Sequence, residues 1–172
     1  MRVVLVACAE AALAVGLFGL AVRHGYGKTT QGENGDERRK EIQAFNEKFL
    51  AAHQTMNTLA ILGMWAEDGV SLLPETAPMI GKPAIAKFLG GVTARLKGWR
   101  MEKMELDFHG IEVSGDWASE WAFEHQVMKP PDADKPAFDG RGMMLLVLHR
   151  EADGSWRIKR EMWNQGPKES RK

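Results

Sequence analysis

Apolar residues change their spacing along this chain, and the changes divide it into parts. Val3–Val22 is an apolar run of 20 residues interrupted only by Glu10. Arg23–Gly35 has no apolar period and is rich in Gly, Thr, Gln and Asn, the composition of a linker. Asp36 then stands where a helix cap is expected. Ile42, Phe45, Phe49, Ala52, His53 and Met56 follow helical spacing and form one apolar stripe. Thr58–Ala66 continues as a second helix with Leu59, Leu62 and Trp65 turned inward. Gly69–Pro74 reads as a short strand, and the three prolines between Pro74 and Pro83 make a loop. Ala84–Leu96 gives a third helix through Ile85, Phe88, Leu89 and Val92.

After Gly98 the period falls to two. Met104, Leu106 and Phe108 alternate, then Ile111 and Val113 take the opposite parity across His109-Gly110. A parity switch at glycine predicts a β-bulge, which bends a sheet. Asp116–Met128 is a second long strand, Pro130–Pro136 a loop, and Gly140–Arg150 a third strand. Asp153-Gly154 turns it into a last strand, Trp156–Asn164. Helices followed by a run of antiparallel strands is an α+β arrangement. Pairing Arg150 with Ser155 would set Met144 opposite Glu161, Leu146 opposite Lys159 and Gly142 opposite Trp163.

Charge narrows the partners. Lys+Arg and Asp+Glu both number 23, so no basic surface calls for nucleic acid or an anionic membrane. The run Val3–Val22 matches the roughly 20 residues that span a bilayer. It reads either as a signal peptide, with Gly19 and Ala21 as the small residues of a cleavage site, or as an N-terminal anchor carrying Glu10; a third reading is that it exports nothing. The expected destination is periplasmic or secreted, with membrane contact only through this segment. Leu5-Val6-Ala7-Cys8 is similar to a lipoprotein box, but too few residues precede it for a full signal. No cysteine follows residue 22, so thiol catalysis, disulfides and Cys-based zinc sites are excluded beyond the leader. His24, His53, His109, His125 and His149 show no HExxH or close ligand pair, and no GxSxG, Walker or GxGxxG motif occurs. Neither a metal nor a cofactor is expected.

Two segments carry a family resemblance. Met64–Ile85 (MWAEDGVSLLPETAPMIGKPAI) and Asp153–Asn164 (DGSWRIKREMWN) resemble the opening and closing signatures of SnoaL-like, ketosteroid-isomerase-like domains of the nuclear-transport-factor-2 superfamily. The resemblance covers Ile42–Asn164. It implies a cone-shaped α+β barrel over residues 36–165, with N-terminal helices packed on a strongly bent antiparallel sheet and a frayed tail at 166–172. It also implies a pocket and a homodimer formed through the convex face. It implies no one reaction, because the fold hosts several. The positions matching the steroid isomerase's aspartate base, oxyanion-binding tyrosine and protonated aspartic acid fall on Leu73, Phe49 and Leu146, and the only tyrosine, Tyr26, lies in the linker. That isomerisation is not expected.

Alternation alone would turn Trp117, Trp121 and Phe123 to the core and Glu120 and Glu124 to water. The resemblance reverses the faces: Glu120, Glu161 and Trp163 line the cone and the aromatics lie outside, with Met143, Leu145, Val147, Trp156, Ile158 and Met162. Following it, the ligand pocket is expected from Trp65, Leu73, Met144, Leu146 and Trp163, and the candidate general acid–base groups are His53 with Glu120 or Glu161. A satisfied core histidine and an ion-paired glutamate account for the same residues without chemistry. Three functions stay open: binding of a small apolar or amphipathic molecule, an isomerase, dehydratase or hydrolase reaction, and a non-catalytic association module.

Overall fold

A computed structural model describes residues 30–166. The leader, most of the linker and the tail lie outside the described residues. Among those described, no helix is long and apolar enough to cross a membrane.

The chain runs α1 (Thr30–Gln54), α2 (Thr58–Gly63), β1 (Trp65–Leu72), β2 (Met79–Ile80), α3 (Lys82–Arg95), β3 (Arg100–Ser114), β4 (Trp117–Lys129), β5 (Phe138–Arg150) and β6 (Trp156–Gln165). The six strands form one curved sheet in the order β2-β1-β6-β5-β4-β3. It departs from the expected barrel in two ways. The sheet is open rather than closed, and β1 runs parallel to β6, so it is mixed. α1 also begins at Thr30, six residues before Asp36, inside the expected linker. The second helix stops at Gly63, and Trp65 opens β1 instead of ending a helix. Asn57 caps the helix start by accepting from the Ala60 amide; Leu59, expected inward, is 81% exposed. The Pro-rich loop contains the short β2, whose two residues pair with Val70 and Ser71.

α1 folds onto the sheet through Ile42, Phe45, Phe49 and Ala52, at i, i+3, i+7 and i+10, all buried. The first three pack on Leu146, Leu148, Ile158, Trp156 and Ala118 in one core, each large side chain contributing about 1.5–3 kcal/mol by its burial. A polar staple holds the same helix: Glu41 accepts from Trp156 Nε1 at 2.8 Å and from Arg150 Nε at 3.1 Å. These donors hold its carboxyl below the usual range.

Two irregularities bend the sheet and set its faces. The pairing of β3 with β4 shifts between His109 and Glu112, and Gly110 there has φ 63. This is the bulge the parity switch predicts, and a side chain at Gly110 would press on the Trp121 indole. The second lies in β6. Leu148 pairs with Ile158 but Val147 pairs with Arg160, leaving Lys159 as the extra residue. Two one-residue shifts correct the expected register: Arg150 pairs with Trp156 rather than Ser155, and the bulge adds the second, so that Leu146, not Met144, faces Glu161, Met144 faces Trp163, and Gly142 faces Gln165. The pairing at the turn puts Trp156 and Ile158 in the core rather than on the convex face, and the parity flip at the bulge returns Glu161 and Trp163 to the cone.

The β4 faces follow the resemblance rather than simple alternation. Ala118, Glu120 and Ala122 are buried, whereas Trp117, Trp121 and Phe123 stay 41–47% exposed on the outer face. Glu120 serves the helix. Asn46 of α1 donates to its Oε2 at 2.7 Å, while Glu120 Oε1 and Asn46 Oδ1 have no partner among the described residues. Both are acceptors while the carboxyl is ionised, and protonation turns one into a donor. Burial, offset in part by the Asn46 bond, accordingly pushes the Glu120 carboxyl up to about 7.

A carboxyl raised on folding favours the native state at low pH and weakens it as pH climbs from about 4.5 through 7. Glu120→Gln removes this dependence. Denaturant unfolding at pH 5 and pH 8 should therefore show the variant gaining on the wild type at pH 8, by on the order of 3 kcal/mol. An unchanged difference between the two proteins at both pH values would contradict the assignment.

Candidate functional site

The bent sheet leaves a void between its concave face and helices α1 and α3. The cavity measures about 310 Å³. Phe49 of α1, Ile85, Phe88 and Leu89 of α3, Trp65 and Leu73 beside β1, and Met101 and Met104 of β3 form its apolar wall. Its polar groups are His53, Ser71, Glu124, Gln126, Glu161 and Trp163. Among the described residues no Lys or Arg lines it.

The strand register builds the polar part. Glu161 of β6 lies beside Ser71 of β1, whose hydroxyl donates to Glu161 Oε2 at 2.6 Å. Glu124 of β4 pairs with Gly142 of β5, which pairs in turn with Gln165. Gly142 carries no side chain, so the Trp163 indole from β6 crosses over it to donate Nε1–H to Glu124 Oε2 at 3.1 Å. Gln126 donates to Glu124 at 2.7 Å. On the helix side, the His53 Nδ1 lies 2.8 Å from the Phe49 carbonyl. A carbonyl only accepts, so Nδ1 carries the proton and Nε2 is the acceptor.

Burial governs the titration of all three ionisable groups. It raises Glu161, against the lowering effect of the Ser71 bond. It raises Glu124 to about 6, with the nearby Glu161 charge adding to the rise and the Trp163 bond opposing it. It lowers His53, the Phe49 carbonyl opposing, so the imidazole is neutral at pH 7. Two carboxyls that disfavour each other's charge titrate as a pair. A carboxyl near neutrality, a second one beside it and a neutral imidazole can take up or deliver a proton close to physiological pH.

The expected site residues separate into two groups. The cavity gathers His53, Glu161, Trp65, Leu73 and Trp163. Glu120, Met144 and Leu146 lie apart from it in the core, Glu120 held by Asn46. The pairing of His53 with Glu120 therefore has no support in the geometry. Glu124 was not among the candidates. Its parity on β4 marked it as facing the cone, and a glycine in the middle of β5 is the signal that another group approaches closely there.

No protein-family model matches the chain, and no curated protein sequence matches it. Solved structures do share its fold. A ketosteroid isomerase-like protein from Erwinia carotovora atroseptica superposes with TM-score 0.65 at 21% identity, over 77% of this chain and 99% of that one. ActVI-ORFA from Streptomyces coelicolor superposes with TM-score 0.63 at 14% identity, over 75% and 97%. A protein from Catenulispora acidiphila in complex with S-DNPA gives TM-score 0.61 at 17% identity, over 76% and 94%. The fold is thus the cone-shaped α+β fold of SnoaL-like and ketosteroid-isomerase-like domains.

The crossing of Trp163 over Gly142 is open to a direct check. A Cβ at residue 142 would sit 2.3 Å from Trp163 Nε1. In Gly142→Ala the indole must leave Glu124, and its N–H resonance in a proton–nitrogen NMR spectrum should move to a solvent-exposed position. An unmoved resonance would show that the indole never lay across the glycine.

Proposed function

We propose that this protein binds a compact, largely apolar small molecule inside the cone, with the molecule's polar end on Glu124 and Glu161. The observation that carries the reading is the composition of the cavity: an aromatic and aliphatic wall interrupted by two carboxyls and one imidazole. Its volume of about 310 Å³ lies at the small end of the roughly 300–1,000 Å³ typical of ligand pockets. The S-DNPA complex of a protein with the same fold supports a small-molecule role for this one.

Proton transfer on the bound molecule is the second reading. It is favoured by the Glu124 carboxyl at about 6 beside Glu161, and it assigns the acid–base role to Glu161 with Glu124 and His53 rather than to Glu120. A homodimer is part of the same proposal. Trp117, Trp121, Phe123, Leu145 and Met162 are each more than 40% exposed on the outer sheet face, and an apolar patch of that kind favours burial against a second copy.

Native mass spectrometry of the chain purified from its own host tests these points together. The expected spectrum is a dimer carrying an adduct below about 400 Da, a mass suited to a small pocket. Leu73→Trp, which adds bulk to the cavity wall, should lose the adduct and keep the dimer; Trp121→Glu should give monomers. An adduct that survives Leu73→Trp would place the ligand elsewhere, and dimers surviving Trp121→Glu would remove the outer face as the interface.

A further inference from the structure

Each donor side chain lining the cavity already gives a hydrogen bond to a neighbour, and only Gln126, with two N–H groups, has a second to offer. The Ser71 hydroxyl donates to Glu161, the Gln126 amide and the Trp163 indole to Glu124, and His53 Nδ1–H to the Phe49 carbonyl. What remains for a guest is mainly acceptors: the second oxygen of Glu161, His53 Nε2, and the spare lone pairs of Glu124, whose oxygens each take one neutral donor. The two carboxyls supply the only formal charge, and among the described residues no Lys or Arg on the cavity wall offsets it. Phe49, Trp65, Phe88 and Trp163 present aromatic rings to the same space. Acceptors in excess of donors, carboxylates without cations and several aromatic rings together describe a receptor for a positive charge on an apolar body.

We infer that the ligand of the cone is a hydrophobic amine, bound as its ammonium ion with the N–H groups on Glu161 and Glu124 and the carbon skeleton among the aromatic rings. The inference rests on the proposed small-molecule role of this cavity and names the chemical class. Anionic molecules are disfavoured, because they would meet two carboxyls, no Lys or Arg, and at most the second N–H of Gln126. Neutral alcohols can donate one hydrogen bond but leave the carboxyl charge uncompensated.

The inference carries a pH signature. His53, Glu124 and Glu161 are the titratable groups on the cavity wall; the residues contributed by α3, β1 and β3 are apolar or, in Ser71, uncharged. In the empty cavity the carboxyls hold protons more tightly than usual, Glu124 up to about 6. An ammonium ion favours their ionised forms, so binding should release protons and strengthen as pH rises from 5 to 7.

Isothermal titration calorimetry with three isosteric probes tests the class. The probes are 2-phenylethylammonium, 2-phenylethanol and propylbenzene, each measured with the full chain in two buffers of different ionisation enthalpy. The ammonium ion is expected to bind at least about tenfold tighter than either neutral probe, as one charge-assisted hydrogen bond warrants. It should also release protons, and Glu161→Gln should remove its advantage over propylbenzene, the probe with no polar end to meet that residue. Neutral probes binding as tightly as the ammonium ion would overturn the amine while leaving the cavity as a binding site. None of the three binding would overturn both.

Discussion

The curvature of one sheet controls everything else in this protein. A flat sheet could be covered fully by α1 and α3, and its inward residues would all be core. Bulges at Gly110 and Lys159 bend it instead. Phe45 and Phe49 then seat α1 on Leu146, Leu148 and Ile158, and further along the same concave face the helices stand off and leave a void. The side chains that meet the void belong to the same strands that form the core, so the position of the cavity is set by the packing that stabilises the fold.

The three inward glutamates show how position on this surface decides chemistry. Glu120 lies under α1, nearly without exposure, and meets an asparagine amide. Glu161 and Glu124 lie where the helices have parted, each held on one side by neutral donors. All three are raised by desolvation, yet only the latter two can be reached by a guest. A buried, hydrogen-bonded carboxyl with a raised pKa is thus not sufficient to mark a site; it must also border space.

Much of this was legible in the sequence for physical reasons. The Ile42–Ala52 stripe, the period-two strands and the parity switch at Gly110 each report a local geometry that the fold keeps. The resemblance of Met64–Ile85 and Asp153–Asn164 to one family supplied the choice of faces, which alternation alone would have inverted because the outer face is the more aromatic. What escaped depended on non-local pairing. The pairing of Arg150 with Trp156 at the turn leaves no mark in the pattern, and it puts Trp156 and Ile158 on the opposite face from the one expected; the Lys159 bulge is equally silent, since a lysine at a half-exposed strand position suits either register. The parallel pairing of β1 with β6 joins segments about 90 residues apart. Glu120 and Glu124 share a parity, and only the third dimension shows that one lies beneath a helix and the other beneath the cavity.

The central claim is that Glu124 and Glu161 form one coupled, desolvated pair in the cone. Carbon-13 NMR titration of the glutamate side-chain carboxyls measures it most directly. The account predicts that Glu124 titrates near 6, that Glu161 titrates above the usual carboxyl range, and that Glu161→Gln lowers the Glu124 midpoint. Two independent midpoints near 4.5, unchanged by the substitution, would mean that the carboxyls are solvated and separate, and the site described above would not exist.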